Sequence, residues 1–212
     1  MIVFDACGSW EGSDTPPYSH DQWAADIDAL RSWADADKII MAAGSYGEYL
    51  ALKYAVHYLC RVAALVLRDT AAAGRFRAQA RYCSQSTDRT VIDMEMFDRS
   101  FADQLHGTDD FQACWHATLP LYDYEYDPAK ADKRLDTRIY QYATHNDAFA
   151  VNLPRINLAD QLGRIPCPAP ITVGRHDWIT PVPASQDRAH GIANSRLIVF
   201  EKSGHSPLFR GV

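Results

Sequence analysis

The sequence has no apolar run that approaches the length of a membrane-spanning helix. Its first apolar stretch, Met1 to Phe4, meets Asp5 at once and is far too short for the hydrophobic region of a secretory signal, so a cytoplasmic protein is expected. It also lacks any Lys/Arg-rich run, and 21 basic against 27 acidic side chains leave a net charge of -6, which argues against nucleic acid or a membrane surface as a partner. Its five cysteines (Cys7, Cys60, Cys83, Cys114, Cys167) are odd in number, scattered and without CxxC spacing, so free thiols are expected rather than disulfides or zinc. Eight histidines offer neither H-x-x-x-H nor H-E-x-x-H spacing, which disfavours a metal hydrolase. There is no internal repeat and no low-complexity tract. What remains is an ordinary globular composition, 47% hydrophobic and 23% charged, in 212 residues: one domain with room for an inserted subdomain.

Against that plain background one stretch stands out, Ala43-Gly44-Ser45-Tyr46-Gly47. It lies between an apolar run, Lys38 to Ala43, and a helical pattern, Glu48 to Leu59. A serine at a tight strand-to-helix turn exposes its hydroxyl, and the next N–H points at the same space. Small residues are expected around it because strand and helix cross closely; Gly44 and Gly47 supply two, and Ala43 stands where a first glycine is usual. Two further apolar runs end in chemistry. Ile171 to Val173 leads into Gly174-Arg175-His176-Asp177, and Leu197 to Phe200 leads into Ser203-Gly204-His205-Ser206. The order Ser, Asp, His matches the nucleophile-elbow hydrolases. Each member follows a β-like segment, which would gather Ser45, Asp177 and His205 at the C-terminal edge of a parallel sheet. Ser45 would be the nucleophile, His205 its base, and Asp177 the group that orients the imidazole and stabilises its charged form. Singly, each residue has a blander role as a turn former, a helix cap or a loop residue.

The coarse pattern agrees. Ile2 to Phe4 reads as a short buried strand, and residues 8–18 as loop. Ser19 with Gln22 resembles a capping box before a helix reaching about Trp33. Strands are expected at 39–43, 62–67, 170–173 and 196–200, and helices at 46–59 and about 183–192. Between Ala71 and about Asp160 strand signals vanish; Phe97 with Phe101 and Phe111 with Trp115 fall at i,i+4, and Pro128 opens a helix expected to run to about Thr144. Strand–helix alternation on both sides of a helical block implies an α/β fold, a mostly parallel sheet with helices on both faces and an inserted all-helical cap. The expected division is 1–70 and 161–212 as the two parts of the core, with 71–160 as the cap. Pro170 is expected to mark the first residue of its strand, since proline removes a ladder donor.

The chain resembles the proline iminopeptidase-like branch of the α/β-hydrolases. The matching segments include Val3-Phe4-Asp5 with Gly8-Ser9, Gly44-Ser45-Tyr46-Gly47, Val66 to Thr70, Leu119 to Tyr122, Thr144-His145-Asn146, Thr172 to Pro181 and Phe200 to Pro207. The resemblance implies a serine hydrolase without metal or cofactor, a helical cap over the triad, and a small-molecule or short-peptide substrate. Members act on N-terminal proline; relatives are esterases, amidases and lactonases. It also implies an oxyanion hole in which the Tyr46 N–H is one donor. The second donor in this family comes from a His-Gly-Gly loop preceding the segment that matches residues 1–4. The only His-Gly pairs here, His106-Gly107 and His190-Gly191, lie after the elbow. The strands that open the family fold are absent, as is a last helix, so a fragment or shortened form is expected. In such a form the 39–43 strand becomes an exposed sheet edge, open to a second copy, or pairs with 2–4. A non-catalytic remnant is the rival expectation from another class.

Candidates for substrate contact are Trp178 beside the acid, Tyr122, and Asn146 or its neighbour Asp147, which falls near a family ammonium-binding position. Arg175 stands at the other such position, where a cation cannot hold an ammonium group. The acids Asp93, Glu95, Asp109, Asp110, Asp123 and Glu125 are expected mainly on solvated faces. Tyr122, Tyr124, Tyr126, Tyr140 and Tyr142 are expected mainly to pack cap against core.

Overall fold

The computed structural model describes residues 1–73, 77–86, 92–136 and 138–205. Four strands, β1 (Ile39–Gly44), β2 (Val62–Arg68), β3 (Ala169–Gly174) and β4 (Ser195–Phe200), form one sheet in the order β1-β2-β3-β4. All three pairings are parallel. The first two are joined by α2 (Tyr46–His57) and the last two by α9 (Val182–Gly191); α1 (His20–Trp33) packs on α2. The main apolar core lies between sheet and helices, where Leu52, Leu65, Ile171 and Ile192 are wholly enclosed.

Between β2 and β3 the described residues form no strand beyond a single bridge, Ala73 with Asn157. They hold α3 (Arg77–Ser86), α4 (Met94–Ser100), α5 (Thr108–Tyr122), α6 (Pro128–Asp136) and α7 (Tyr142–Asn146). A π-helical stretch, Asp147–Asn152, then leads into α8 (Leu153–Arg155). Phe97 of α4 and Phe101, just past its end, pack with Trp178, and Phe111 of α5 packs with Tyr140. The spacing that predicted these helices is therefore also what glues them together.

Four expectations are corrected. Ile2 to Phe4 is not a strand; it has no ladder partner and is exposed, Val3 by 82%. An apolar run forms a strand only where a neighbour accepts from its N–H groups and donates to its C=O groups. Of the two arrangements foreseen for β1, the structure takes the sheet edge, with Ile40 facing outward. The helix opening at Pro128 stops at Asp136, and residues 138–141 are not helical before α7 begins. At α1 only half of the capping box forms: Ser19 Oγ accepts from the Gln22 N–H, while the Gln22 side chain turns to Asp26. Pro170 is the second residue of β3, not the first. Its missing N–H is harmless: Ala169 donates towards β4 and Thr172 accepts from Asp69 on the β2 side, so Pro170 faces β2 just before that pairing begins at Ile171.

One buried ion pair crosses the core. Arg188 of α9 donates through Nη1 to Glu48 Oε1 in the first turn of α2, and through Nη2 to Ser185 Oγ at 2.6 Å. Both charged side chains are fully enclosed. Removing one partner of such a pair leaves an uncompensated buried charge. Arg188→Met is expected to lower unfolding free energy by about 3–5 kcal/mol in urea titrations, and Glu48→Gln added to it to restore part of that loss.

Candidate active site

β1 ends at Gly44 and α2 begins at Tyr46, leaving Ser45 alone in the turn with φ 51° and ψ −130°. A positive φ on a non-glycine residue costs on the order of 1–3 kcal/mol and persists only where the surroundings enforce it. Here the Ser45 N–H donates to the Arg68 carbonyl at the end of β2, 2.9 Å away. Gly44 leaves room for the Arg68 guanidinium, which a Cβ there would push aside. Gly47 is not required for packing: a Cβ there would meet no atom within 4 Å.

His205 reaches the turn from the loop after β4. Its Nε2 lies 2.9 Å from Ser45 Oγ and its Nδ1 2.9 Å from Asp177 Oδ2. The acid is fixed in turn: Oδ1 accepts from the Ile179 and Thr180 N–H groups at 2.9 and 3.0 Å, and Oδ2 from Thr180 Oγ1 at 2.9 Å. The acid and base loops are sewn together by Arg175 N to Phe200 O and His176 N to Ser203 O, both 2.9 Å. Gly174 permits this approach; a side chain there would strike the Ser203 and Gly204 carbonyls. The His205 N–H donates to the Tyr122 carbonyl at 2.8 Å, taking up a backbone acceptor at the C-terminal end of α5. Burial disfavours the charged form of His205, yet the Asp177 carboxylate outweighs it and holds the imidazole above its ordinary value. Such a network can take the Ser45 proton and stabilise the imidazolium that results.

Ser45 and His205 open on a cavity of about 540 Å³. Its wall is strongly aromatic, with Trp10, Tyr46, Phe101, Phe111, Trp115 and Phe149 among the lining residues. The Tyr46 N–H is the first of α2 and has no intrahelical acceptor, so it is available to the cavity as an oxyanion donor. The Tyr46 hydroxyl donates to the Ala148 carbonyl at 3.1 Å, and its ring stacks on buried His20 at 5.6 Å. Tyr122 lines the cavity and packs edge-on against His205, ring centres 5.3 Å apart.

Two expected contacts fail. Asn146 does not line this cavity; its amide bridges both backbone groups of Leu105, accepting from N at 3.4 Å and donating to O at 3.0 Å. Trp178 is buried among Phe97, Phe101 and Tyr122 and borders only a smaller neighbouring void of about 50 Å³. A buried amide completes local backbone bonds, and a large ring fills core, whatever motif they sit in. Asp147 does not line the cavity either, and Arg175 pairs with Glu201 at 2.7 Å on the surface. None of the acids Asp93, Glu95, Asp109, Asp110, Asp123 and Glu125 reaches the cavity wall; Asp93 caps α4, and Asp110 holds Arg99 and the His106 N–H. Ser206 and Pro207 lie outside the described residues. Among the described residues no cluster of His, Cys, Asp and Glu is suited to a metal ion, and no helix is long and apolar enough to cross a membrane.

Sequence reasoning missed four residues. His20 supports Tyr46, and burial with nearby Lys53 pushes its pKa down to about 4, so it is a neutral ring. Arg68 and Arg138 reach the cavity wall. Asp69, with φ 52°, is wholly buried and accepts from the Gly174 N–H at 3.2 Å. Burial first, and the Asp177 charge second, push the Asp69 carboxyl well above the usual range. A raised folded-state pKa means that the native protein holds a proton the unfolded chain has released, so stability falls as pH climbs from the ordinary carboxylate value towards the raised one. Asp69→Asn lacks this dependence. Its melting temperature relative to the parent is expected to rise between pH 4 and pH 7, by the equivalent of about 2–4 kcal/mol, in paired calorimetric scans.

Comparison with known proteins agrees with this architecture. A family model described as the alpha/beta hydrolase fold matches residues 2–212. Proline iminopeptidase PfmaB of Pestalotiopsis fici is 28% identical over 213 residues, covering 97% of this chain and 75% of its own. The proline iminopeptidase of Saccharolobus solfataricus is 23% identical, covering 99% and 71%. Among solved structures, an alpha/beta fold family hydrolase from Bacillus anthracis superposes with a TM-score of 0.77 at 20% identity, over 96% of this chain and 74% of that one. The esterase EaEST from Exiguobacterium antarcticum does so with a TM-score of 0.70 at 20% identity, over 95% and 72%. The chain therefore belongs to the alpha/beta hydrolase fold family, in its proline iminopeptidase-like branch.

Proposed function

We propose that this protein is a serine hydrolase that cleaves small carboxylic esters through an acyl-Ser45 intermediate. The observation that carries the proposal is the unbroken relay from Ser45 Oγ to His205 to Asp177, with both links at 2.9 Å, opening on an aromatic cavity. His205 Nε2 takes the hydroxyl proton as Oγ bonds to the carbonyl carbon, and the Tyr46 N–H donates a hydrogen bond to the developing oxyanion. His205 then protonates the departing alkoxide. A water repeats the sequence: its proton goes to His205, its oxygen bonds to the acyl carbon, the acyl–Oγ bond breaks to release the carboxylic acid, and His205 returns the proton to Ser45 Oγ. The helical residues within 71–160 act as a cap, because Phe101, Phe111, Tyr122, His145 and Phe149 supply much of the cavity wall.

The relatives named proline iminopeptidase favour an N-terminal proline substrate as a second reading. Such a substrate presents an ammonium group, which needs a carboxylate within reach. Among the described residues that line the cavity there is no Asp or Glu, whereas Arg68 and Arg138 are present. An ester without an ammonium group suits that wall better.

A fluorophosphonate probe is expected to label Ser45 and to fail on Ser45→Ala; absence of any label on the parent protein sinks both readings. Short p-nitrophenyl esters are expected to turn over faster than proline p-nitroanilide. Asp177→Asn is expected to reduce kcat by about 10⁴, as loss of the correct imidazole tautomer does in related chemistry. Because His205 must be neutral to act as base and its pKa is raised, kcat/KM is expected to climb with pH through a midpoint above the ordinary imidazole value.

A further inference from the structure

Arg138 occupies a position that the hydrolytic relay does not explain. It lies where the helix opened by Pro128 has ended and α7 has not begun. Its guanidinium carbon sits 4.0 Å over the centre of the Trp115 ring, and the side chain lines the same cavity as Ser45 and His205. Among the described residues it has no carboxylate partner, and no carboxylate lines the cavity. The wall's other arginine, Arg68, has Asp69 at 3.7 Å. His145 cannot supply a charge: burial lowers its pKa to about 4, and its Nε2 lies 2.6 Å from the Ser100 carbonyl. Burial disfavours the charge on Arg138 too, but a guanidinium remains protonated. A partly desolvated cation on a wall without a carboxylate is suited to an anion.

The spacing is defined by a run of rings. Tyr122 is 5.3 Å from His205 and 5.1 Å from Trp115, whose face carries Arg138. We infer that Arg138, laid on Trp115, is the seat for a carboxylate at the far end of the substrate, across the Trp115 and Tyr122 rings from His205. The fork of a guanidinium matches a carboxylate in two parallel hydrogen bonds, and the aromatic wall between the two ends suits a flat or short aliphatic body. This rests on the proposed hydrolase reading only for the statement that the ligand is a substrate; the carboxylate seat itself is a binding property.

The test therefore measures binding first. With Ser45→Ala protein, 4-phenylbutanoate and 4-phenylbutanamide are titrated by calorimetry. The carboxylate is expected to bind about 10–100-fold more tightly than its amide. Arg138→Gln is expected to bring the two affinities together, and Arg138→Lys to keep part of the difference, since a lysine retains charge without the fork. Thermal melts of both variants confirm that they are folded; if Arg138→Gln does not fold, the Lys variant alone must still show a reduced ratio. Equal affinities in the parent background, or a preference that survives Arg138→Gln, overturn the inference. Turnover of p-nitrophenyl butyrate is read separately on the unaltered protein. Carboxylate binding without turnover leaves the seat standing and defeats the hydrolase reading; turnover without carboxylate preference does the reverse.

Discussion

The Glu48–Arg188 pair is the constraint on which the site's geometry depends. Glu48 lies three residues after Ser45, in the first turn of α2, and Arg188 lies in the helix that follows the Asp177 loop. Each helix is launched by a strand end that carries a triad member. The pair ties together, inside the core, the two helices that follow these strand ends, by a contact that does not involve His205. A buried pair adds little net stability compared with apolar packing, but it tolerates very few alternative arrangements. That intolerance is useful in a site whose two links must each stay near 2.9 Å.

The strain at Ser45 becomes intelligible in the same frame. Its left-handed backbone is held from one side by the Arg68 carbonyl and from the other by the start of α2. Arg68 also fills the space that any side chain at position 44 would need. Asp69, next in the chain, shares the positive φ and sits close enough to Asp177 to feel its charge. The end of β2 thus serves the site at three successive levels: an acceptor for the elbow, a cation in the wall and a buried carboxyl behind the acid.

The sheet, its parallel sense and the convergence of Ser45, Asp177 and His205 were legible in the sequence because each rests on a local signal: an apolar run, a small-residue turn, a charged residue just past a strand end. Where the prediction failed, the missing information was non-local. Ile2 to Phe4 has strand composition but no partner to pair with. Asn146 and Trp178 stand within family-like motifs, yet the helices above turn them towards Leu105 and Phe97, contacts that no spacing rule contains. Arg138 was invisible for the opposite reason. Its segment carries a helical pattern, and only the break after Asp136 places it over Trp115. The tyrosines were read as packing residues, and Tyr140 is one; Tyr122 is both packing and site, touching Trp178 on one side and His205 on the other.

The bond from the His205 N–H to the Tyr122 carbonyl joins the catalytic base to the end of α5, and a side chain at Gly204 would collide with that same carbonyl. The roof over the cavity and the base beneath it are therefore one mechanical unit. A substitution that displaces the end of α5 therefore reaches His205 through the backbone, without touching any side chain of the Ser45–His205–Asp177 network.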